Sequence, residues 1–413
     1  MPSCAPVVLA LALISLASPA NWTQFRLHDD NNAVVPGTLA VSWRLTTAAG
    51  FSSSPSLTGT TLFIGNNAGE LLAVDVRSGT VRWKATVQNP LMSAPIVYGD
   101  LVIVGEGNEN SPQGSSPSHP IRVGDPPSAL LAFRRDTGNL VWRTPLTGSG
   151  MPTPAIISGT LYHHDGSGML LAVNPANGAV RYRRALRSIA SMSAIVPIGT
   201  AFVTQGVDPN AVYAIDAASG AVRWRALFSS VASGLGDCPS AADTRQIYCD
   251  YVMPPSAATP VQTERQAQSR AFALDIRTGK RLWDVLLQRG TLPKRNEAAI
   301  PLVMPQSVIM GSSISSSVYA LDPSTGRILW SVKTHGPVKG GIVKAGGALY
   351  FGDLGGYLWA VNASSGHTIG ARNTRTPFNV GSPILAGQTL IIGSRGGTLL
   401  ALPLALIRNS HDR

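Results

Sequence analysis

One short string of residue types is repeated eight times along this chain, and few folds accommodate that. A full copy runs from Leu71 to Trp83: Leu-Leu-Ala-Val-Asp-Val-Arg-Ser-Gly-Thr-Val-Arg-Trp. It reads as a β-hairpin, with an apolar run, a turn of Asp, Ser and Gly, and a second run ending in Trp. The Asp side chain accepts hydrogen bonds from backbone N–H groups of the turn. The Gly supplies the positive φ that closes a short hairpin loop. The Trp offers a flat body that packs between neighbouring sheets. Anchored on its alanine, the unit recurs at Ala73, Ala132, Ala172, Ala214, Ala273, Ala320, Ala360 and Ala401, with spacings of 59, 40, 42, 59, 47, 40 and 41. The Trp position is Trp83, Trp142, Tyr182, Trp224, Trp283 and Trp330, and it is lost near Gly370. A period near 40 with four strand-like segments per unit predicts a β-propeller.

The two ends of the chain complete the count. Val41-Ser42-Trp43-Arg44-Leu45 looks like the Trp strand without its partner, and Thr398-Leu399-Leu400-Ala401-Leu402 looks like the partner without its Trp strand. Pairing them closes the last blade with the N-terminal strand and leaves no open sheet edge. The expectation is one eight-bladed domain over residues 21–413.

Residues 1–20 stand apart. Val7 to Ala17 is apolar but too short to span a bilayer, and Ser18-Pro19-Ala20 suits signal-peptidase cleavage before Asn21. Cys4 precedes the apolar run, so it is not placed as a lipoprotein cysteine. The mature chain is expected to be periplasmic or secreted, not membrane-spanning and monomeric. Only 13 % of residues are charged, and the net charge is +11, from 33 Lys and Arg against 22 Asp and Glu. The densest basic run is Arg181, Arg183, Arg184 and Arg187. A solvated outer strand explains it more simply than attraction to acidic polymers or lipid head groups. Nothing resembles a nucleic-acid motif.

After cleavage two cysteines remain, Cys238 and Cys249. A turn centred between Asp243 and Thr244 places them opposite each other across an antiparallel pair, where a disulfide is expected in an exported protein. The repeated Asp75, Asp216, Asp275 and Asp322 are explained by turns. No Ser/His/Asp arrangement and no metal-ligand spacing is present, so neither a catalytic residue nor a metal site is expected. His163 and His164 are adjacent on a strand and point to opposite faces; His164 occupies the strand-end position of Gly65, where a solvated residue is expected.

One constellation emerges where the inner strands begin. Three residues before each Pro, or its Ile equivalent, stand Ser52, Met92, Met151, Met192, Gly236, Glu297, Lys339 and Val380. Propeller geometry predicts that they ring the central channel at one mouth. Three adjacent blades contribute Met, and Glu297 with Lys339 forms a candidate ion pair. The ring reads as a plug of the channel or, alternatively, as an adaptable binding surface or a thioether site for Cu(I). Insertions near 106–128, 250–269 and 284–297 emerge on the same face, where loops on a rigid scaffold carry binding. They hold Glu106, Asn108, Glu109, His119, Arg122, Asp125, Glu264 and Arg265.

The leader Trp22 to Arg26 and the repeated Ala-x-Asp-x-x-(Ser/Thr)-Gly-x-x-x-Trp string resemble the pyrroloquinoline-quinone (PQQ) propeller repeat. Quinoprotein alcohol dehydrogenases share it with BamB-like propellers of the outer-membrane barrel assembly machine. The resemblance covers nearly the whole mature chain and implies the fold, because the shared residues serve blade packing. Quinoprotein dehydrogenases carry a disulfide between adjacent cysteines, a calcium site and an Asp base; this chain has no adjacent cysteine pair. No cofactor is therefore expected. The function expected is an exported, non-catalytic scaffold that binds another envelope protein. The alternatives are a PQQ-dependent dehydrogenase with Ca²⁺ in the channel, and a polysaccharide or envelope-polymer binding module.

Overall fold

Eight sheets stand around a common axis in a computed structural model, which describes residues 33–411 apart from 111–122, 232–234, 236–238, 256–265 and 292–298. The first blade sets the pattern: Ser56–Thr58 innermost, then Thr61–Gly65, Glu70–Asp75 and Val81–Thr86 outermost. In it Phe63 pairs with Ala73, and Ala73 with Trp83, so the anchor alanine lies between two large residues. Six further sheets repeat this four-stranded order.

The hairpin turns are built as the residue types require. Asp75 Oδ1 accepts the N–H groups of Arg77 and Ser78 at 2.9 and 3.1 Å, and the carboxylates of Asp216, Asp275 and Asp322 serve their own turns in the same way. At the last position of the repeat, five Trp and one Tyr then staple their blades to the next. Trp43, Trp83, Trp142, Trp224 and Trp283 donate their indole N–H to the carbonyls of Val76, Arg135, Pro175, Ile276 and Pro323, and the Tyr182 hydroxyl donates to that of Ala217. Apolar side chains fill the wedges between blades: Phe63 and Leu71 of the first pack with Val102, Val104 and Leu131 of the second. Each such buried side chain stabilises the fold by roughly 1.5–3 kcal/mol.

Closure of the ring is as expected. Trp43–Thr46 forms the outer strand of the eighth blade, pairing Trp43 with Ala401 and Thr46 with Thr398. This blade also carries a fifth strand that the repeat does not foretell. Val34–Val35 runs parallel to the inner strand Ile384–Ala386, with Leu385 and Gly387 donating N–H to Ala33 and Val35. It lies on the channel side and packs in one apolar cluster with Val343 of the seventh blade.

The missing Trp at Gly370 has a physical cause. The eighth blade ends in the helix Leu404–Arg408 rather than in a hairpin turn. The chain after it pairs with the seventh blade, where Ala371 N–H donates to Ser410 at 2.8 Å. A Cβ on Gly370 would lie 2.3 Å from the Ile407 carbonyl oxygen. Ile407, fully buried, covers the edge that Trp covers elsewhere.

Two expectations need correction. The segments near 250–269 and 284–297 are not only loops: the fifth blade's strands extend over Gln246–Met253, Ala267–Asp275 and Arg281–Gly290. Continued pairing of Met253 with Gln268, and of Gln268 with Arg289, raises them above the other blades. The turn before them centres between Thr244 and Arg245, since Ala242 pairs with Ile247 and Ala241 with Tyr248. That register places Ser240 directly opposite Cys249; Cys249 itself is disulfide-bonded, to a partner outside the described residues. Asp243 shifts the turn by accepting the N–H groups of Arg245 and Gln246. Cys238 lies outside the described residues, as do residues 1–32.

Candidate functional site: a narrow shaft beneath a polar vestibule

Every blade sends one residue or more to a cavity of about 30 Å³ where the inner strands begin. Ser52, Met92, Met151, Met192, Lys339 and Val380 line it, with Pro239 and Ile300 from the fifth and sixth blades. Gly236 and Glu297 lie outside the described residues, and with them the candidate ion pair to Lys339. The space holds about one or two water molecules. Met151 is 1 % exposed and Lys339 8 %.

Above this shaft opens a vestibule of about 720 Å³, which shares Ser52, Met92 and Lys339 with it. Its other walls include Asn67, Asn108, Glu109, Asn110, Ser313, Asn379 and Arg395. Sequence reasoning missed Asn67, Asn379 and Arg395. They sit on connections of ordinary length, so no insertion marks them.

Other residues singled out in the sequence are accounted for by packing. Glu106 is 2 % exposed; its Oε1 accepts the N–H groups of Gln88 and Asn89, and its Oε2 meets Arg143 at 3.0 Å. Asp125 accepts the Asn110 amide at 2.7 Å. Arg181, Arg183, Arg184 and Arg187 are exposed on and just beyond the outer strand of the third blade. His119, Arg122, Glu264 and Arg265 lie outside the described residues. Among the described residues, no group of three or more His, Cys, Asp or Glu is placed to hold a metal ion.

His164 is the clear correction. It is 1 % exposed, not solvated. Its register position, opposite the second residue before the anchor alanine, is glycine in five blades (Gly65, Gly105, Gly311, Gly352 and Gly393). In the third, fourth and fifth blades it is His164, Gln205 and Asp250, all about 1 % exposed. Each polar side chain needs a partner once water is excluded. His164 finds Thr204 Oγ1 at 2.9 Å and the Ser188 carbonyl at 2.6 Å. Gln205 donates to Cys249 Sγ at 3.6 Å and accepts from Ser240. Burial pushes the Asp250 carboxyl up to about 8, so it holds its proton at neutral pH. Burial pushes His163 and His164 down to about 4, so both stay neutral there.

Fold and site together define an eight-bladed, quinoprotein-type propeller with a polar vestibule over a nearly closed shaft. The family model described as "Outer membrane protein assembly factor BamB" matches residues 32–195 and 267–405, and the chain belongs to that family. BamB of Yersinia pestis is 24 % identical over 355 residues, covering 84 % of this chain and 83 % of that protein. A tetrathionate hydrolase of Acidithiobacillus ferrooxidans is 24 % identical over 356 residues, covering 81 % of this chain and 69 % of that protein. The structure of quinohemoprotein alcohol dehydrogenase from Comamonas testosteroni superposes with a TM-score of 0.65 at 13 % identity, covering 97 % of this chain and 82 % of that one. That likeness is one of fold.

Proposed function

We propose that the protein is an exported, non-catalytic scaffold whose vestibule face docks another envelope protein. The observation that carries this reading is the asymmetry of the two faces. The vestibule, the raised fifth blade and the long connections share one face, while the other presents short, self-satisfied turns. Family membership supports it. The test is complementation of a deletion strain, scored by folded outer-membrane proteins. Wild type and the turn-face variant Lys280→Glu restore them, and the vestibule double variant Asn67→Arg/Asn379→Arg does not. Equal rescue by all three overturns the reading.

A second reading has a specific observation behind it. Lys339 and Arg395 line a vestibule rich in side-chain amides, a donor set suited to oxyanions, and a tetrathionate hydrolase is among the relatives. Under this reading the purified protein consumes tetrathionate and Arg395→Ala lowers the rate. Absence of turnover removes it. A PQQ–calcium centre fits the described residues poorly. The shaft is an order of magnitude below the roughly 300 Å³ of a small cofactor site, and the vestibule walls offer a calcium ion a single carboxylate, Glu109, beside their asparagine amides; a PQQ titration with Ca²⁺ that shows no saturable binding removes this reading.

A further inference from the structure

The three ring methionines are held side by side by hydrogen bonds between blades. Thr153 N–H donates to the Ser193 carbonyl at 3.0 Å, and Ile195 N–H returns a bond to Thr153 at 3.2 Å. These bonds form a parallel bridge between Thr153 and Ala194. On the other side, Ala94 N–H donates to Thr153 Oγ1 at 3.0 Å. Met92, Met151 and Met192 each stand two residues before Ala94, Thr153 and Ala194. The bridged chains at Thr153 and Ala194 lie about 4.8 Å apart. The three side chains line the same shaft cavity.

We propose that Met92, Met151 and Met192 form a three-thioether site for a soft monovalent cation, Cu(I) or Ag(I). Thioether sulfur is a neutral, polarisable donor that selects such ions over Zn²⁺, Ca²⁺ or Mg²⁺. The cavity is the size of one or two waters, or of one small ion, rather than of an organic ligand. This site lies below the vestibule and does not depend on what docks there.

The probe is Ag(I), titrated into the thiol-blocked mature protein and followed by methionine methyl NMR. Of 8 methionines in the full sequence, the methyl signals of these three are expected to move together and saturate at one ion per chain. Each volume-matched Met→Leu substitution at 92, 151 or 192 is expected to weaken binding at least tenfold. The triple variant loses it, while Met304→Leu leaves it unchanged. Leu plugs the shaft as well as Met does, so a purely packing role predicts equal Ag(I) affinity in the triple variant. That outcome, or saturation without movement of the three methyl signals, overturns the proposal.

Discussion

Neither ring nitrogen of His163 has a hydrogen-bond partner, and the residue has no exposed surface. Removing an unsatisfied buried polar group in favour of an apolar one of similar size is neutral or stabilising. His163→Leu is therefore expected to raise stability by about 1 kcal/mol at pH 7, read from the urea midpoint. The pH dependence has a definite sign. The native imidazoles of His163 and His164 titrate near 4, below the ordinary 6.5. The unfolded chain takes up those protons first, so stability falls as pH drops from about 6.5 through 4. Asp250 acts in the opposite sense. Its native carboxyl holds a proton up to about 8 against an ordinary 3.8, so stability falls as pH rises from about 4 through 8. Asp250→Asn is expected to abolish that second slope, measured as urea midpoints between pH 5 and 8; an unchanged slope contradicts the assignment. His164 was legible in the sequence only as a departure from glycine. That departure suggested a strand end in water, because single-sequence periodicity carries no information about how closely the next blade approaches.

At the scale of the element, the Trp staple and its one exception make matched predictions. Trp142 is 8 % exposed and holds the Pro175 carbonyl at 3.1 Å. Trp142→Ala is expected to cost about 3–5 kcal/mol, seen as a lowered urea midpoint. In the seventh blade, where the C-terminal helix replaces the indole, Gly370→Val is expected to displace Leu404–Arg408 and speed hydrogen exchange there. Blade count, turn chemistry and the Trp43–Thr46 closing strand were legible because each rests on a repeated spacing. The parallel strand Val34–Val35 and the helix were not, since each occurs once and is set by where the chain ends meet the ring. The turn before Cys249 was misplaced by one residue because the Asp243 turn is longer than its counterparts. Whether Cys249 pairs with Cys238 is decided by alkylating the unreduced protein, where a disulfide predicts no modification at either residue.

The two ends of the ring differ in what they present. Seven hairpin turns and the Trp staples lock blade to blade, and the Val34–Val35 strand narrows the channel from the turn side. What differs from blade to blade gathers at the other end: the three methionines, Lys339, the Asn-lined vestibule and the lengthened fifth blade. The ring of Met92, Met151, Met192, Ser52 and Lys339 could be found in the sequence because the blades share a register. The vestibule could not, because its walls come from connections whose positions only closure of the ring brings together. The most direct measurement places a photo-crosslinking residue in living cells at Asn67, Asn379 or Arg395 on the vestibule face, and at Arg77 or Lys280 on the turn face. A docking scaffold predicts one discrete protein adduct from the three vestibule positions and none from the two turn positions. Adducts from the turn face alone, or identical adducts from both faces, would contradict it.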